Sequence, residues 1–482
     1  MMSNLAKESA MNRINALLDE NSFVEIGGLV TARSTDFNMQ DKVAASDGVI
    51  TGYGVIDNSL VYVYSQDASI LGGTVGEMHA KKISRLYDMA VKMGAPVVAL
   101  VDCAGLRLEE AADALNAFGE VYAKQAAASG VVPQITAVFG TCGGGMGVMA
   151  SLSDFTFMAE DGKLFVNAPN TLDGNRAEKC DTASAAYQAE VSGMADYTGT
   201  EDEVLAGIRK LVSVLPMNND DFAEEQCADD LNRVCENLAD CVGDTEIALE
   251  NLADAGTFFE IKKAYAKNMV TGFMKLNGIT VGAVANRATV YDEEGKAEEL
   301  GTALTAEGCE KAADFVNFCD AFNIPVLTLT NASGFAATVD NEKRIAKAAA
   351  KLTYAYAEAT VPKVNVVVGQ AMGNAYNVMN SKACNADIVY AWPDAKIGTM
   401  DSDAAVRIIY AEEIKKAEDS VAFINEKKAE YETLQVSAAS AAKRGYVDSI
   451  IAPEDTRKYV IGAFEMLYTK KEERPAKKHG TV

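Results

Sequence analysis

Three consecutive glycines, Gly143-Gly144-Gly145, stand between a strand-like run, Val131-Val-Pro-Gln-Ile-Thr-Ala-Val-Phe139, and a helix-like run. At such a junction backbone N–H groups can turn toward a ligand with no Cβ in the way, and the helix behind them adds its positive end. That is an anion or oxyanion site in outline. For this stretch alone, tight packing of a turn behind a buried strand is the competing reading. A nucleotide P-loop is a poor match, because no Lys-Ser/Thr follows. Other chemistries are thinly supplied. The only histidines are His79 and His479, which argues against a Ser-His-Asp triad and against a His-rich metal site, so no bound metal is expected. Nine cysteines, with no Cys-x-x-Cys pair, read as reduced, mostly buried thiols of an intracellular protein.

The elements that must hold this turn occur twice. Ile324-Pro-Val-Leu-Thr-Leu-Thr-Asn-Ala-Ser-Gly-Phe335 echoes Ala95-Pro-Val-Val-Ala-Leu-Val-Asp-Cys-Ala-Gly-Leu106, and Val361-Pro-Lys-Val-Asn-Val-Val-Val-Gly369 echoes Val132-Pro-Gln-Ile-Thr-Ala-Val-Phe-Gly140. Pro96 to Pro325, Pro133 to Pro362 and Gly140 to Gly369 are each 229 positions apart, and Thr271-Gly-Phe answers Thr51-Gly-Tyr 220 positions on. The chain therefore reads as an α/β protein made of two copies of one unit of strands and crossover helices. The division is placed at 1–240 and 241–482, inside an acidic stretch near 216–255 that reads as a solvated helical connector. Within each copy the strands alternate with helices. Gly48 to Gly54 and Leu60 to Tyr64 read as strands turning at Asp57-Asn58, and Glu77 to Met93 as a helix stopped by Gly94-Ala-Pro96. Asn286 to Gly301 reads as an exposed turn, and Glu412 to Glu432 as a solvated helix.

Composition bounds the function. A length of 482 residues with 49% hydrophobic residues suits two domains, and a formal charge of −25 argues against nucleic acid or an anionic membrane as partner. Gln125 to Ser153 carries no charge and is long enough to span a bilayer, but Pro133, Gln134 and the glycines divide it into strand, turn and helix. The N-terminal stretch has no unbroken signal-peptide core, and a cytoplasmic location is expected.

Two glycine-bearing turns in two repeats suit a reaction with two oxyanions, where preorganised backbone donors each contribute on the order of 3 kcal/mol without any ionisable side chain. At this point the chain resembles the carboxyltransferase subunits of biotin-dependent acyl-CoA carboxylases and related decarboxylases, the propionyl-CoA carboxylase beta type among them. The resemblance is carried by Ser22-Phe-Val-Glu-Ile-Gly27, Asp47-Gly-Val-Ile-Thr-Gly-Tyr-Gly54, Gly76-Glu-Met-His-Ala-Lys-Lys82, Phe318-Cys-Asp-Ala-Phe-Asn-Ile-Pro325, Ala386-Asp-Ile-Val-Tyr-Ala-Trp-Pro393 and Arg474-Pro-Ala-Lys-Lys-His-Gly480. It implies two tandem crotonase-like (ClpP/crotonase) spiral domains, commonly assembled as a hexamer, with active sites between the N-terminal domain of one subunit and the C-terminal domain of another.

The mechanism it implies uses no protein base: carboxybiotin delivers carbon dioxide, and the biotin enolate removes the α-proton of the acyl-CoA. Carried over residue by residue, the acyl-CoA hole falls on the N–H groups of Gly144 and Gly145, beside Gly143, and the biotin hole on those of Asn374 and Ala375. Gly105, Arg107, Gly334, Phe335 and Asn377 are the further substrate-binding candidates. Arg107 is expected either to reach a CoA phosphate or to form a surface salt bridge, and Asn377 matches a position that selects acyl chain length, pointing to propionyl- or methylmalonyl-CoA. Met89-Ala-Val-Lys-Met93 resembles a biotinylation sequence but lies on the periodic face of a helix. Biotin is therefore expected on a separate carrier protein, with a biotin carboxylase or a membrane decarboxylase subunit as further partner.

Departures from the family pattern are Asp102-Cys-Ala-Gly-Leu-Arg107, Asn331-Ala-Ser-Gly-Phe335, Gly373-Asn-Ala375 and a missing Gly-Gly-Ala-x-x-His segment between Asn167 and Ala206. Asparagine tolerates left-handed backbone, so the second hole can survive. The same site run backward makes a sodium-pumping acyl-CoA decarboxylase the alternative, and a degenerate assembly scaffold is the reading from another class.

Overall fold

Val97-Val-Ala-Leu-Val101 is apolar at every position, as a strand covered on both faces must be, and none of the five is more than 1% exposed. The computed structural model describes residues 2–33, 37, 39, 44–221, 227, 229–291 and 294–475, with side chains from residue 9 onward. The chain divides into two units, Met1–Ala223 and Glu224–Val482. Each is built on its own eight-stranded sheet. His479 and most of the Arg474-to-Gly480 motif lie outside the described residues, as do Asp292 and Glu293.

The first unit runs α1 (Met2–Leu17), β1 (Val24–Glu25), β2 (Val49–Ile56), β3 (Ser59–Gln66), α2 (Glu77–Met93), β4 (Val97–Cys103), α3 (Ala111–Ala128), β5 (Gln134–Gly143), α4 (Gly145–Ser151), β6 (Phe155–Ala159) and β7 (Lys163–Phe165). Two short helices, α5 (Asn175–Glu178) and α6 (Ala185–Glu190), lead to β8 (Tyr197–Gly199) and α7 (Glu201–Val214). The sheet order is β1-β2-β3-β4-β5-β6-β8, with β7 on the far end of β5. Strands β1 to β3 are antiparallel and the others parallel. Asp57 and Asn58 join β2 to β3 with φ of +47° and +69°, a left-handed pair that matches the twist of the strands. Helix α2 buries Ile83, Leu86 and Ala90 and ends where Gly94 takes φ +62°. The uncharged stretch from Gln125 to Ser153 is the end of α3, then β5, then α4. Among the described residues no helix is long and apolar enough to cross a membrane.

The second unit repeats this plan. It runs α8 (Thr245–Leu252), β9 (Phe259–Ile261), β10 (Met269–Leu276), β11 (Ile279–Asn286), β12 (Thr289–Tyr291), β13 (Ala297–Glu299), β14 (Ala303–Leu304), α9 (Ala306–Ala321), β15 (Val326–Ala332) and β16 (Gly334–Phe335). There follow α10 (Val339–Glu342), α11 (Ile345–Glu358), β17 (Lys363–Met372), α12 (Gly373–Val378), β18 (Ile388–Ala391) and β19 (Lys396–Gly398). The chain closes with α13 (Ser402–Ile409), α14 (Ala411–Lys416), α15 (Ser420–Tyr431), α16 (Ala438–Lys443), β20 (Ser449–Ile450) and α17 (Thr456–Leu467). Its sheet order is β9-β10-β11-β15-β17-β18-β20 with β19 on β17, the same as in the first unit. Register breaks between Val101 and Cys103 and again between Thr330 and Ala332.

The repeat reaches individual side chains. Lys82 on α2 donates to the carbonyls of Ser46 and Val49, and Lys311 on α9, 229 positions later, donates to those of Lys262 and Tyr265. Arg209 on α7 grips Leu17 O and Asp19 at the end of α1, while Arg457 on α17 grips Leu252 O and Asp254 at the end of α8.

Three connecting stretches differ from the expected reading. The stretch between the units forms no α-helix among its described residues before α8, and Leu238, Leu249 and Leu252 pack with Val270, Val281 and Leu327 in the second unit. The units accordingly part at 223/224, ahead of the expected 240/241. The expected turn at 286–301 contains the antiparallel pair β12/β13. The single helix expected at 412–432 is two, because Asp419 accepts hydrogen bonds from Val421 N and Ala422 N and starts α15 afresh.

Candidate functional site

At the break in register after Val101 the Asp102 side chain crosses to β5. Its Oδ1 accepts from Thr141 N at 3.2 Å, and a Cβ on Gly140 would lie 2.1 Å from that oxygen. In the second unit Asn331 Oδ1 accepts from Gln370 N at 3.0 Å, and a Cβ on Gly369 would lie 2.4 Å from it. Gly140 and Gly369 are thus demanded by close approach. One residue type changes between the copies, from carboxylate to amide, and the bond is kept.

Beyond this bond each strand runs into a tight turn. Gly144 sits at φ 61°, ψ −121°, a backbone open essentially to glycine alone, and Gly373 at φ 58° holds the equivalent place. Gly105 and Gly334, again 229 apart, both have positive φ, of +115° and +144°. Gly105 lies against the carbonyl of Gly143, and α12 packs beside β16, which carries Gly334 and Phe335. Gly143, Gly144, Gly145 and Gly105 are therefore gathered in the first unit. Gly334, Phe335, Asn374, Ala375 and Asn377 are gathered in the second.

The donors differ from the sequence-based expectation. Gly144 N already donates to Phe165 O on β7 at 2.9 Å, so this N–H is engaged within the chain. Gly145 and Met146 follow it in the first turn of α4, where N–H groups find no acceptor inside the helix. In the 229-residue register these two correspond to Asn374 and Ala375 in the first turn of α12. Gly145 has no room for a side chain, since a Cβ would meet Tyr122 Oη at 2.9 Å and the Phe118 ring at 3.0 Å.

Arg107 neither reaches out to a phosphate nor forms a surface salt bridge. It is 1% exposed, and its guanidinium pairs with Asp47 and Glu110 and donates to Thr74 O at 2.6 Å. Asp47 in turn accepts from His79 N at 2.7 Å, and its carbonyl from His79 Nδ1 at 2.9 Å. Gln66 Nε2 meets His79 Nε2 at 3.1 Å and Met146 Sδ at 3.7 Å. Burial and the nearby Arg107 charge hold the His79 pKa down to about 3, so the ring is neutral. Arg107 and His79 are braces behind the first turn. Burial also pushes the Cys103 thiol up to about 12 and raises Cys142 further, which leaves neither as a nucleophile.

The second turn opens on a cavity of about 520 Å³ lined by Asn374, Tyr376, Asn377, Tyr431, Arg444 and Tyr446 among others. A volume in the range of about 300–1,000 Å³ with aromatic walls and a few convergent polar groups suits a small-molecule site. Tyr431, Arg444 and Tyr446 went unseen in the sequence, because they come from a Lys/Glu-rich stretch and from a loop far from the glycines. The segment Thr182–Met194, which lacks the family histidine, carries α6, with Gln188 donating to the carbonyls of Leu164 and Thr182 at 3.2 and 2.7 Å.

Two mixed-sheet units, each ending its central strand in a strained glycine turn ahead of a short helix, match the tandem-domain plan of the crotonase-like carboxyltransferases. A family model, the carboxyl transferase domain, matches residues 4–482, and the chain belongs to that family, the carboxyltransferases of biotin-dependent enzymes acting on CoA thioesters. It is 40% identical over 99% of its length, and 93% of the relative's, to methylmalonyl-CoA decarboxylase subunit alpha of Propionigenium modestum. It is 41% identical to the propionyl-CoA carboxylase beta chain of Roseobacter denitrificans, covering 99% of this chain and 94% of that one. A crystal structure of transcarboxylase 12S, a hexamer with hydrolysed methylmalonyl-coenzyme A bound, matches with a TM-score of 0.92 and 35% identity over 100% of this chain and 94% of that one.

Proposed function

We propose that this chain moves a carboxyl group between biotin, carried on a separate protein, and the α carbon of propionyl- or methylmalonyl-CoA. The relatives named for these acyl groups support the three-carbon class. In this reading the first unit takes the acyl-CoA and the second takes biotin. Gly144 shapes the first turn, and the N–H groups of Gly145 and Met146 hold the developing thioester enolate oxygen. Those of Asn374 and Ala375 face the urea oxygen, with Gly334 and Phe335 beside them and Asn377 on the wall that meets the acyl chain. Biotin, when bound, supplies the carboxyl group. The chain supplies fixed dipoles at the point where charge develops. The observation that carries this is the matched pair of strained turns, Gly144 and Gly373, each opening a helix.

A homo-hexamer is the expected assembly, by likeness to transcarboxylase 12S, and the expected setting is cytoplasmic, with no bound metal and a biotin carboxylase as partner. The decarboxylase relative favours a second reading, in which the same transfer runs from methylmalonyl-CoA toward biotin with a membrane subunit as partner. The test is carboxyl transfer by purified protein between free biotin and methylmalonyl-, malonyl- and glutaconyl-CoA, with calorimetric titration of each thioester. Turnover of methylmalonyl-CoA ahead of the other two is expected. No turnover of any thioester would overturn the reading.

A further inference from the structure

The cavity beside the second turn has a charged wall that the family reading does not use. Arg444 stands at the end of α16, and its Nη1 donates to the carbonyl and hydroxyl of Ser440. Its Nη2 donates to Leu434 O and to Gln435 Oε1, both at 3.0 Å. Four of the five N–H bonds of the guanidinium are thereby held by neutral acceptors. Arg107, Arg287 and Arg457 all face carboxylates, whereas among the described residues none pairs with Arg444. In a chain of formal charge −25 this cation is fixed in place, un-neutralised, and lines the same cavity as Asn374 and Asn377.

A guanidinium so held keeps its Nε–H and its whole charge for an anion, and loses little freedom when one arrives. Resting on the function proposed above, we infer that Arg444 binds the carboxylate in transit. That carboxylate is carried by biotin at one stage and by the malonyl-type thioester at the other. The phosphates of CoA fit less well, since they lie at the far end of the pantetheine arm from the reacting carbon.

The experiment uses the full-length protein with Arg444→Gln and Arg444→Lys. Parent activity with methylmalonyl-CoA and free biotin tests the function, and the variants test the inference. Arg444→Gln is expected to lower kcat/KM for transfer at least tenfold, and Arg444→Lys, which keeps the charge, to lose less. Calorimetry with methylmalonyl-CoA and propionyl-CoA then identifies the source. A Kd raised for methylmalonyl-CoA alone places the contact on the thioester carboxylate. Unchanged Kd for both, with the transfer rate reduced and partly rescued by lysine, places it on carboxylated biotin. Unchanged kcat/KM in Arg444→Gln overturns the inference. So does an equal loss in both variants accompanied by a lower Tm, which would make Arg444 only a brace of the 434–440 loop.

Discussion

The two turns share a frame and differ in what supports them. Behind the first stands a buried polar network in which Arg107, Asp47, Glu110, His79 and Gln66 connect to Met146 on the turn helix. Behind the second, Asn286 reaches Met379 Sδ at 3.9 Å and accepts from Asn331 N at 3.1 Å, while Gly308 occupies the place of His79. The first turn has three glycines and a side chain pressed on each flank. The second presents the exposed Asn374 to an open cavity. A duplicated backbone can therefore keep its geometry while its surroundings are rebuilt, because the geometry is fixed by glycine φ angles and one strand-crossing hydrogen bond.

The comparison is most sharply tested at the closing arginines. Arg457 is fully buried with Asp254, so Arg457→Ala is expected to lower stability by about 3–5 kcal/mol, as for a broken buried pair. Arg209, 27% exposed, is expected to lose about 1 kcal/mol or less on the same change, with urea unfolding as the measurement. Equal losses would show that the two units are not clasped differently. At the first turn, Gly145→Val places carbon against Tyr122 and Phe118 and displaces the N–H proposed as an oxyanion donor, for an expected loss of about 10²–10³ in kcat.

The acid limb comes next. His79 is held neutral at a pKa near 3 against 6.5 when unfolded, so its contribution is full above pH 6.5 and declines as pH falls. Roughly 2 kcal/mol is lost between pH 6.5 and about 5. Asp47, raised by burial, acts in the opposite direction, so the difference between parent and His79→Gln in thermal melts isolates the ring. A variant with the parent's acid limb would disprove the assignment. The smallest effect is expected for Asn374→Gly, which keeps the N–H and restores the family residue: kcat should change by less than about threefold, since the proposed donor is backbone.

Much of this was legible in sequence because it rests on backbone constraints. Pro96/Pro325, Gly140/Gly369 and the Asp57-Asn58 turn each impose a geometry that few residues satisfy, so their spacing survives and can be read. The glycine turns were legible for the same reason. The fate of Arg107 was not, because a charged residue after a glycine looks the same whether it faces solvent or a buried Asp47 brought from sixty residues away. Nor was the engagement of Gly144 N–H, which depends on β7 returning to lie beside β5. The cavity wall was hidden by composition, since Tyr431 sits in a stretch whose Lys and Glu content reads as plain surface and Arg444 follows an Ala/Ser-rich run with no chemistry of its own.

The grip, within each unit, of its last helix on its first, α7 on α1 and α17 on α8, has a consequence for how the protein can be encoded. Of the connector, Asn218 and Asn219 bond to Gly94 and Val131 in the first unit, while Arg233 and Cys235 bond to Asn251, Ala253 and Glu454 in the second. A break in the polypeptide between 221 and 229 would leave both of these attachments, and both arginine clasps, on their own side of the cut. One gene or two could specify the same pair of folded halves.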